Sequence, residues 1–244
     1  MSSGIIAGTA IYHIPDLEMN EKTVNTPYGE VQLFQGTGED DDLYFLPRHG
    51  ADHSIPPHRV NYRAHLKAFE VLGVDKILAA YAVGSINPTI PPLSLVAVND
   101  FIDFTSGRES TYYDGGSEGV KHVDMSQPFC PALREALLER APDFDLTIRP
   151  SGVYVASNGP RLETPAEIAM FQQWGGDVIG MTAVPECVLA KELDICFAGV
   201  GFSVNWAAGF EEEITLVEEG LENLTARLMA LFIATLRSTD RDMS

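Results

Sequence analysis

The sequence predicts a single α/β domain with helices flanking a central sheet, and three observations carry that prediction. Apolar, β-branched runs recur along the chain, and several lack polar alternation, as strands buried on both faces do. Helical patterns lie between them, which is the signature of an α/β arrangement. No repeat, low-complexity stretch or linker divides the 244 residues, a length at which one domain with a substantial core is routine.

The strand candidates, in order, are GIIAGTAI (4–11), DLYFLP (42–47), KILAAYAVGS (76–85), SLVAVNDFID (94–103), SGVYVAS (151–157), DVIGMT (177–182) and ICFAGVGFSVN (195–205). Helical patterns cover 59–72, 130–141, 164–174, 185–193 and about 215–237. Two helix starts are marked by capping boxes. In TPAE, Thr164 caps, Pro165 takes the first helical position and Glu167 closes the box; Thr215 and Glu218 in TLVE predict the same for the last helix. That helix should pack a stripe of Leu221, Leu224, Leu228 and Leu231. Residues 105–129 lack periodicity and predict a long irregular segment, which in a compact domain is usually functional or interfacial. Residues 1–238 are expected to form the domain and 239–244 a fraying polar tail.

Apolar residues at 45% and charged residues at 21% are ordinary for a soluble globular chain. The formal net charge of −19 argues against nucleic acid or an anionic membrane surface as a partner. Cys130, Cys187 and Cys196 are odd in number, far apart and without a C-x-x-C pair, so reduced, buried thiols are expected. No targeting signal or membrane-length apolar run is evident, which makes the cytoplasm the expected compartment.

Against this acidity, the stretch PRHGADHSIPPHRVNYRAH (47–65) gathers His49, His53, His58 and His65 with Arg48, Arg59 and Arg63. A metal site fits poorly: Gly50 and Pro56 disfavour the helix that H-x-x-x-H needs, H-E-x-x-H is absent, and the arginines repel a cation. Nucleic acid lacks a basic stripe elsewhere in the chain. A small anion fits better. Arg48 and His49 follow the strand YFLP, ligands of open α/β sheets bind beyond the carboxyl ends of strands, and the arginine fork suits phosphate oxygens. Arg59, Arg63, His58 and His65 read as decoration of a helix face. Gly8-Thr9 after the opening strand, and the small residues ending AYAVGS (80–85), are further anion elements.

The ordered motifs RHG-x-x-H-x-x-x-P-x-x-VNYRA-x-x-x-A, AVGS, NGPRLETPAEI and GMTAVPE-x-VLAKEL span nearly the whole chain. Together they resemble the trimeric purine nucleoside phosphorylase and methylthioadenosine phosphorylase family. The resemblance implies a mixed, distorted sheet, a homotrimer, and phosphorolysis of a purine nucleoside with inorganic phosphate as co-substrate and no metal or organic cofactor. It implies a phosphate site at Thr9, Arg48, His49, the backbone of Ala82 and the hydroxyl of Thr182. Met181 resembles the residue packing under the ribose, and Leu162 holds a position often taken by Phe. Tyr81 stands where relatives often place a small polar residue. His122 resembles a residue that reaches across the trimer interface toward the 5′ end of the sugar, with Leu216 and Ile214 lining that end from the start of the last helix. Asn205 and His49 fall nearest the chemistry.

Base preference is the informative difference. Where many methylthioadenosine phosphorylases carry aspartate, this chain reads SVNWAAG, with Asn205 and then Ala207. Glu163 falls where 6-oxopurine phosphorylases hold a base-reading glutamate. An ionised Glu163 accepts from purine N1–H, and the Asn205 amide donates to O6 or N7; adenine reverses these edges. The combination implies S-methyl-5′-thioinosine as substrate. S-methyl-5′-thioadenosine and a general 6-oxopurine nucleoside are the neighbouring possibilities within the class, and a nucleoside hydrolase and a non-catalytic purine-binding protein are those outside it.

Overall fold

Strand β5 (Val74–Ser85) organises the molecule. Its twelve residues are almost all buried, as expected of an apolar strand at the middle of a sheet covered on both faces. The computed structural model describes residues 2–11, 14, 15 and 17–242, with side chains described as far as 238. Among these residues eleven strands form one mixed sheet.

On one edge of β5 lie β1 (Ser2–Ala7), β4 (Leu43–Pro47), and the antiparallel pair β3 (Gly29–Gly36) and β2 (Met19–Thr26), in that order. The same edge then changes partner. Pairing with β1 is parallel and ends at Ile6↔Ala79, whereas pairing with β10 (Val178–Gly180) is antiparallel and begins at Ile179↔Gly84. Residues 80–83 lie between, where the sheet splits. Beyond β10 come β9 (Val153–Ala156) and β7 (Asp100–Asp103). The other edge of β5 is covered along its length by parallel β11 (Cys196–Trp206), followed by β6 (Leu95–Ala97) and β8 (Ile148–Arg149).

Five α-helices appear among the described residues. Helices α1 (Tyr62–Val71) and α4 (Ala183–Glu192) pack together over one large core cluster containing Phe69, Ile77 and Leu189. Helices α2 (Pro131–Arg140) and α5 (Leu221–Asp242) cover a second, built on Ile5, Leu78, Val200 and Phe232. The remaining helix, α3 (Pro165–Gln173), begins with the expected capping box: the Thr164 hydroxyl accepts from Glu167 N–H and the Glu167 carboxylate accepts from Thr164 N–H. Among the described residues no helix is long and apolar enough to cross a membrane.

Four expectations are corrected. The antiparallel pair β2–β3 was not anticipated, because MNEKTVNT and GEVQLFQG are largely polar, with Val24, Val31 and Leu33 buried and Met19 and Phe34 partly buried against the core. The last helix starts at Leu221, after Gly220 at φ 83°, so Thr215 and Glu218 lie in coil and form no box. That helix also continues through Asp242, where a polar tail was expected from residue 239, while Met243 and Ser244 lie outside the described residues. Finally, Cys130 and Cys196 are joined in a disulfide, with Cα atoms 5.3 Å apart. Cys130 N–H bonds the Phe197 carbonyl at 2.7 Å, which sets the start of α2 against the start of β11. Cys187 alone is a free, buried thiol.

The bridge closes a sequence separation of 66 residues that runs from the start of α2 to the start of β11. Cys196→Ser is expected to lower the unfolding free energy by about 2–4 kcal/mol through the loop closed in the unfolded chain. Urea denaturation with and without reductant checks this; equal midpoints for oxidised and reduced wild type would contradict it.

Candidate active site

A pocket opens where β5 changes partner. It is lined by Thr9 beyond β1, Arg48 and His49 beyond β4, Ala82, Val83 and Gly84 on β5, Met181 and Thr182 beyond β10, and Val204, Asn205 and Ala207 around the end of β11. Leu162, Glu163, Ile214 and Leu216 complete it, with Pro57, Ile179, Gly180 and Ala208. Most of these residues therefore arrive at or just beyond strand ends, where an α/β sheet exposes its backbone to ligands.

Arg48 is 1% exposed and anchors the floor. Its Nε donates to Glu186 Oε1 at 2.5 Å and Nη2 to Oε2 at 3.0 Å. Nη1 donates to the Ala80 carbonyl at 3.1 Å, at the point where β1 leaves β5. The guanidinium also lies 4.8 Å from the centre of the Tyr81 ring, and the Tyr81 hydroxyl donates to Glu186 Oε2 at 3.1 Å. Burial opposes the positive charge, but the fully buried Glu186 carboxylate outweighs it and holds the Arg48 pKa above its ordinary value. Part of the arginine fork is thus taken by Glu186. Three of the five guanidinium N–H groups are engaged, so two remain for the pocket.

His49 Nδ1 lies 2.8 Å from the Ile55 carbonyl, which can only accept, so Nδ1 carries the proton and Nε2 presents a lone pair. Burial first, and the Arg48 charge second, push its pKa down to about 4. Gly8 makes this packing feasible. A Cβ there would stand 2.8 Å from His49 Cδ2 and 3.0 Å from Arg48 Nη1.

Thr182 is the N-cap of α4, yet its side chain makes no capping bond. Thr182 lines the pocket, and its N–H donates to the Tyr154 hydroxyl at 3.1 Å. Asn205 is buried beside a β-bulge: Ser203 pairs Val83 and Asn205 pairs Gly84, so Val204 is the extra residue. Its Nδ2 donates to the Trp206 carbonyl at 2.7 Å, which fixes the amide orientation and leaves one N–H and Oδ1. Glu163 Oε1 accepts from the Ser157 hydroxyl at 2.6 Å. Leu162 and Leu216 are 50% and 61% exposed and give the mouth an apolar rim. Ile214 and Leu216 line it from coil, not from a helix.

The residues that the resemblance places in the phosphate and substrate sites all line this pocket except His122, which is exposed in the irregular segment and absent from the lining. The His53 ring lies tilted against His49 at 4.8 Å between ring centres, and Arg63 of α1 pairs with Glu109 and Asp114. Glu186 and Ser157 were missed. An acid embedded in the apolar run AVPECVLA was the available signal for Glu186, since such a group stays buried only when paired. Among the described residues no cluster of three or more His, Cys, Asp or Glu side chains forms a metal-ligating group.

Against known proteins, residues 3–237 match the model of the phosphorylase superfamily. A probable 6-oxopurine nucleoside phosphorylase of Dictyoglomus turgidum is 45% identical over 229 residues, covering 93% of this chain and 87% of the relative. A probable S-methyl-5′-thioinosine phosphorylase of Methanopyrus kandleri is 47% identical over 220 residues, covering 90% and 84%. A double mutant of the adenosine/methylthioadenosine phosphorylase of Schistosoma mansoni, solved with adenine, superposes with a TM-score of 0.91 at 30% identity, over 99% of this chain and 92% of that one. Fold and sequence thus define an enzyme of nucleoside phosphorylase type, a pentosyltransferase. The chain belongs to the phosphorylase superfamily.

His49 makes stability depend on pH. Its folded pKa of about 4 lies below the unfolded value of 6.5, so unfolding takes up a proton between them. Stability is full above 6.5 and falls as pH drops toward 4. His49→Gln should remove on the order of 1–2 kcal/mol of that fall, after screening. Urea midpoints of both proteins at several pH values between 4 and 7.5 read this; parallel pH profiles would contradict it.

Proposed function

We propose that the pocket carries out phosphorolysis of S-methyl-5′-thioinosine, releasing hypoxanthine and 5-methylthioribose 1-phosphate. The observation that carries the reading is that two side chains suited to read a purine edge line the same pocket. Glu163, held through one oxygen by Ser157, offers an acceptor for purine N1–H. Asn205, held by the Trp206 carbonyl, offers an N–H for O6 or N7. Adenine meets the carboxylate with an acceptor at N1, and a mismatched buried hydrogen bond costs about 1–3 kcal/mol. The relatives from Dictyoglomus turgidum and Methanopyrus kandleri are both named for 6-oxopurine bases, which supports this edge assignment.

The remaining roles follow from placement. Inorganic phosphate sits among Thr9, Arg48, His49, the Ala82 backbone and the Thr182 hydroxyl, beneath C1′. Neutral His49 accepts a hydrogen bond through Nε2 from the P–OH of the phosphate monoanion or dianion, while the two remaining Arg48 N–H groups and the threonine hydroxyls serve its charged oxygens. Met181 packs under the ribose. As the C1′–N9 bond breaks, its electron pair leaves with the base, and positive charge grows on the sugar. Phosphate stabilises that charge and then forms the new C1′–O bond. Asn205 stabilises the negative charge on the departing base at N7. This is preorganised electrostatics with positioning, and no covalent enzyme intermediate is required.

The apolar rim of Leu216 and Ile214 favours a methylthio group over a hydroxyl at the 5′ end. His122 reaches that end from a second copy in a homotrimer, which accounts for its distance from the pocket of its own chain. No cofactor takes part, and the setting is the cytoplasm. A general 6-oxopurine nucleoside phosphorylase is the second reading, favoured by the name of the Dictyoglomus turgidum relative.

The test is base release from methylthioinosine, methylthioadenosine and inosine, each with and without phosphate. Hypoxanthine from methylthioinosine should dominate and require phosphate. Comparable rates on inosine favour the second reading, and phosphate-independent release contradicts phosphorolysis. Asn205→Asp should lower 6-oxopurine turnover by roughly 5- to 150-fold, the equivalent of one buried mismatch. Unchanged rates on both methylthio nucleosides would remove the base-reading assignment.

A further inference from the structure

Arg108 lies in the irregular segment between β7 and α2, outside the pocket, and nothing in its local sequence marks it. Its guanidinium is committed to the main chain. Nη1 donates to the carbonyls of Met181 and Val184, both at 2.7 Å, and Nη2 to those of Ser157 and Asn158, at 3.2 and 3.1 Å. The group lies 5.3 Å from the centre of the Tyr62 ring on α1.

The four carbonyls belong to two stretches of chain just beyond strand ends, the second running into the first residues of α4. One follows β9 and the other follows β10. These strands are parallel neighbours whose ladder ends at Gly180↔Ala156, with a final bond from Ser157 N–H to the Gly180 carbonyl at 2.9 Å. Past that point Arg108 is what links the stretches through hydrogen bonds to both. The first stretch carries Ser157, whose hydroxyl orients Glu163; the second carries the pocket side chains of Met181 and Thr182.

We propose that Arg108 is a positioning residue that fixes the spacing between the base-reading stretch and the ribose- and phosphate-facing stretch. The inference rests on the roles given above to Glu163 and Met181. Arginine suits the task because it offers five donors in a rigid plane and no acceptor, so one group can tie four carbonyls at fixed angles. A lysine keeps the charge but lacks the fork. Loss of the tie lets the two stretches drift, and an ångström-scale misplacement of substrate groups lowers turnover by about 100-fold.

The test is steady-state phosphorolysis by Arg108→Ala and Arg108→Lys, varying nucleoside and phosphate separately, alongside thermal melting. The expected result for Arg108→Ala is a fall of about 10- to 100-fold in kcat/KM for the nucleoside. The KM for phosphate, whose other contacts are not tied by Arg108, should change much less. Millimolar guanidinium should restore much of the loss, and ammonium should not. Arg108→Lys should show the same split between substrates. Should the alanine variant fail to fold, the lysine variant decides: unaltered constants overturn the proposal. Equal losses for both substrates without guanidinium rescue also overturn it, since they mark a merely structural role. A wild type active with phosphate beside unaffected variants counts against Arg108 alone; a wild type without phosphate-dependent turnover removes the functional reading and this inference with it.

Discussion

A charged pair inside the core governs this molecule. Arg48 and Glu186 are 138 residues apart in sequence and almost wholly shielded from water, joined through both carboxylate oxygens. Burying two ions is costly, and the pair offsets that cost only through well-formed hydrogen bonds, here supplied also by the Tyr81 hydroxyl and the Ala80 carbonyl. Removing either partner would strand the other charge, a loss of about 3–5 kcal/mol in comparable pairs. Such a device is a poor way to gain stability over an apolar core. It is a good way to hold a cation in one orientation at the floor of a pocket.

Much of the surrounding architecture serves that placement. The change of partner along β5 leaves the Ala80 carbonyl for Arg48 and opens the space that Thr9, Ala82 and Thr182 line. Gly8 has no side chain because none fits against Arg48 and His49. Thr182 at the start of α4 and Asn205 beside the bulge in β11 both line the pocket.

The parts legible in the sequence were those with local signals. Unbroken apolar runs marked β1, β4, β5 and β11, and Thr164-Pro165 with Glu167 marked the start of α3. The Arg48-His49 step stood out because cations follow directly on a buried strand. What stayed hidden depends on long-range contacts. The β2–β3 pair buries only alternate residues, and the Pro27-Tyr28-Gly29 turn, with Gly29 at φ 131°, was its one local clue. The motif TLVE has the composition of a cap, yet Val217 N–H bonds the Val204 carbonyl and keeps the segment in coil against the pocket. The Cys130–Cys196 bridge and the Arg108 contacts arise only once the strands are assembled, so no spacing announces them.

The most direct measurement is a crystal structure of the protein grown with phosphate. The account predicts one phosphate in the pocket within hydrogen-bonding distance of Arg48, His49 Nε2 and the Thr182 hydroxyl, with the Arg48–Glu186 pair unbroken. Phosphate bound elsewhere, or bound here only after Arg48 has left Glu186, would contradict it.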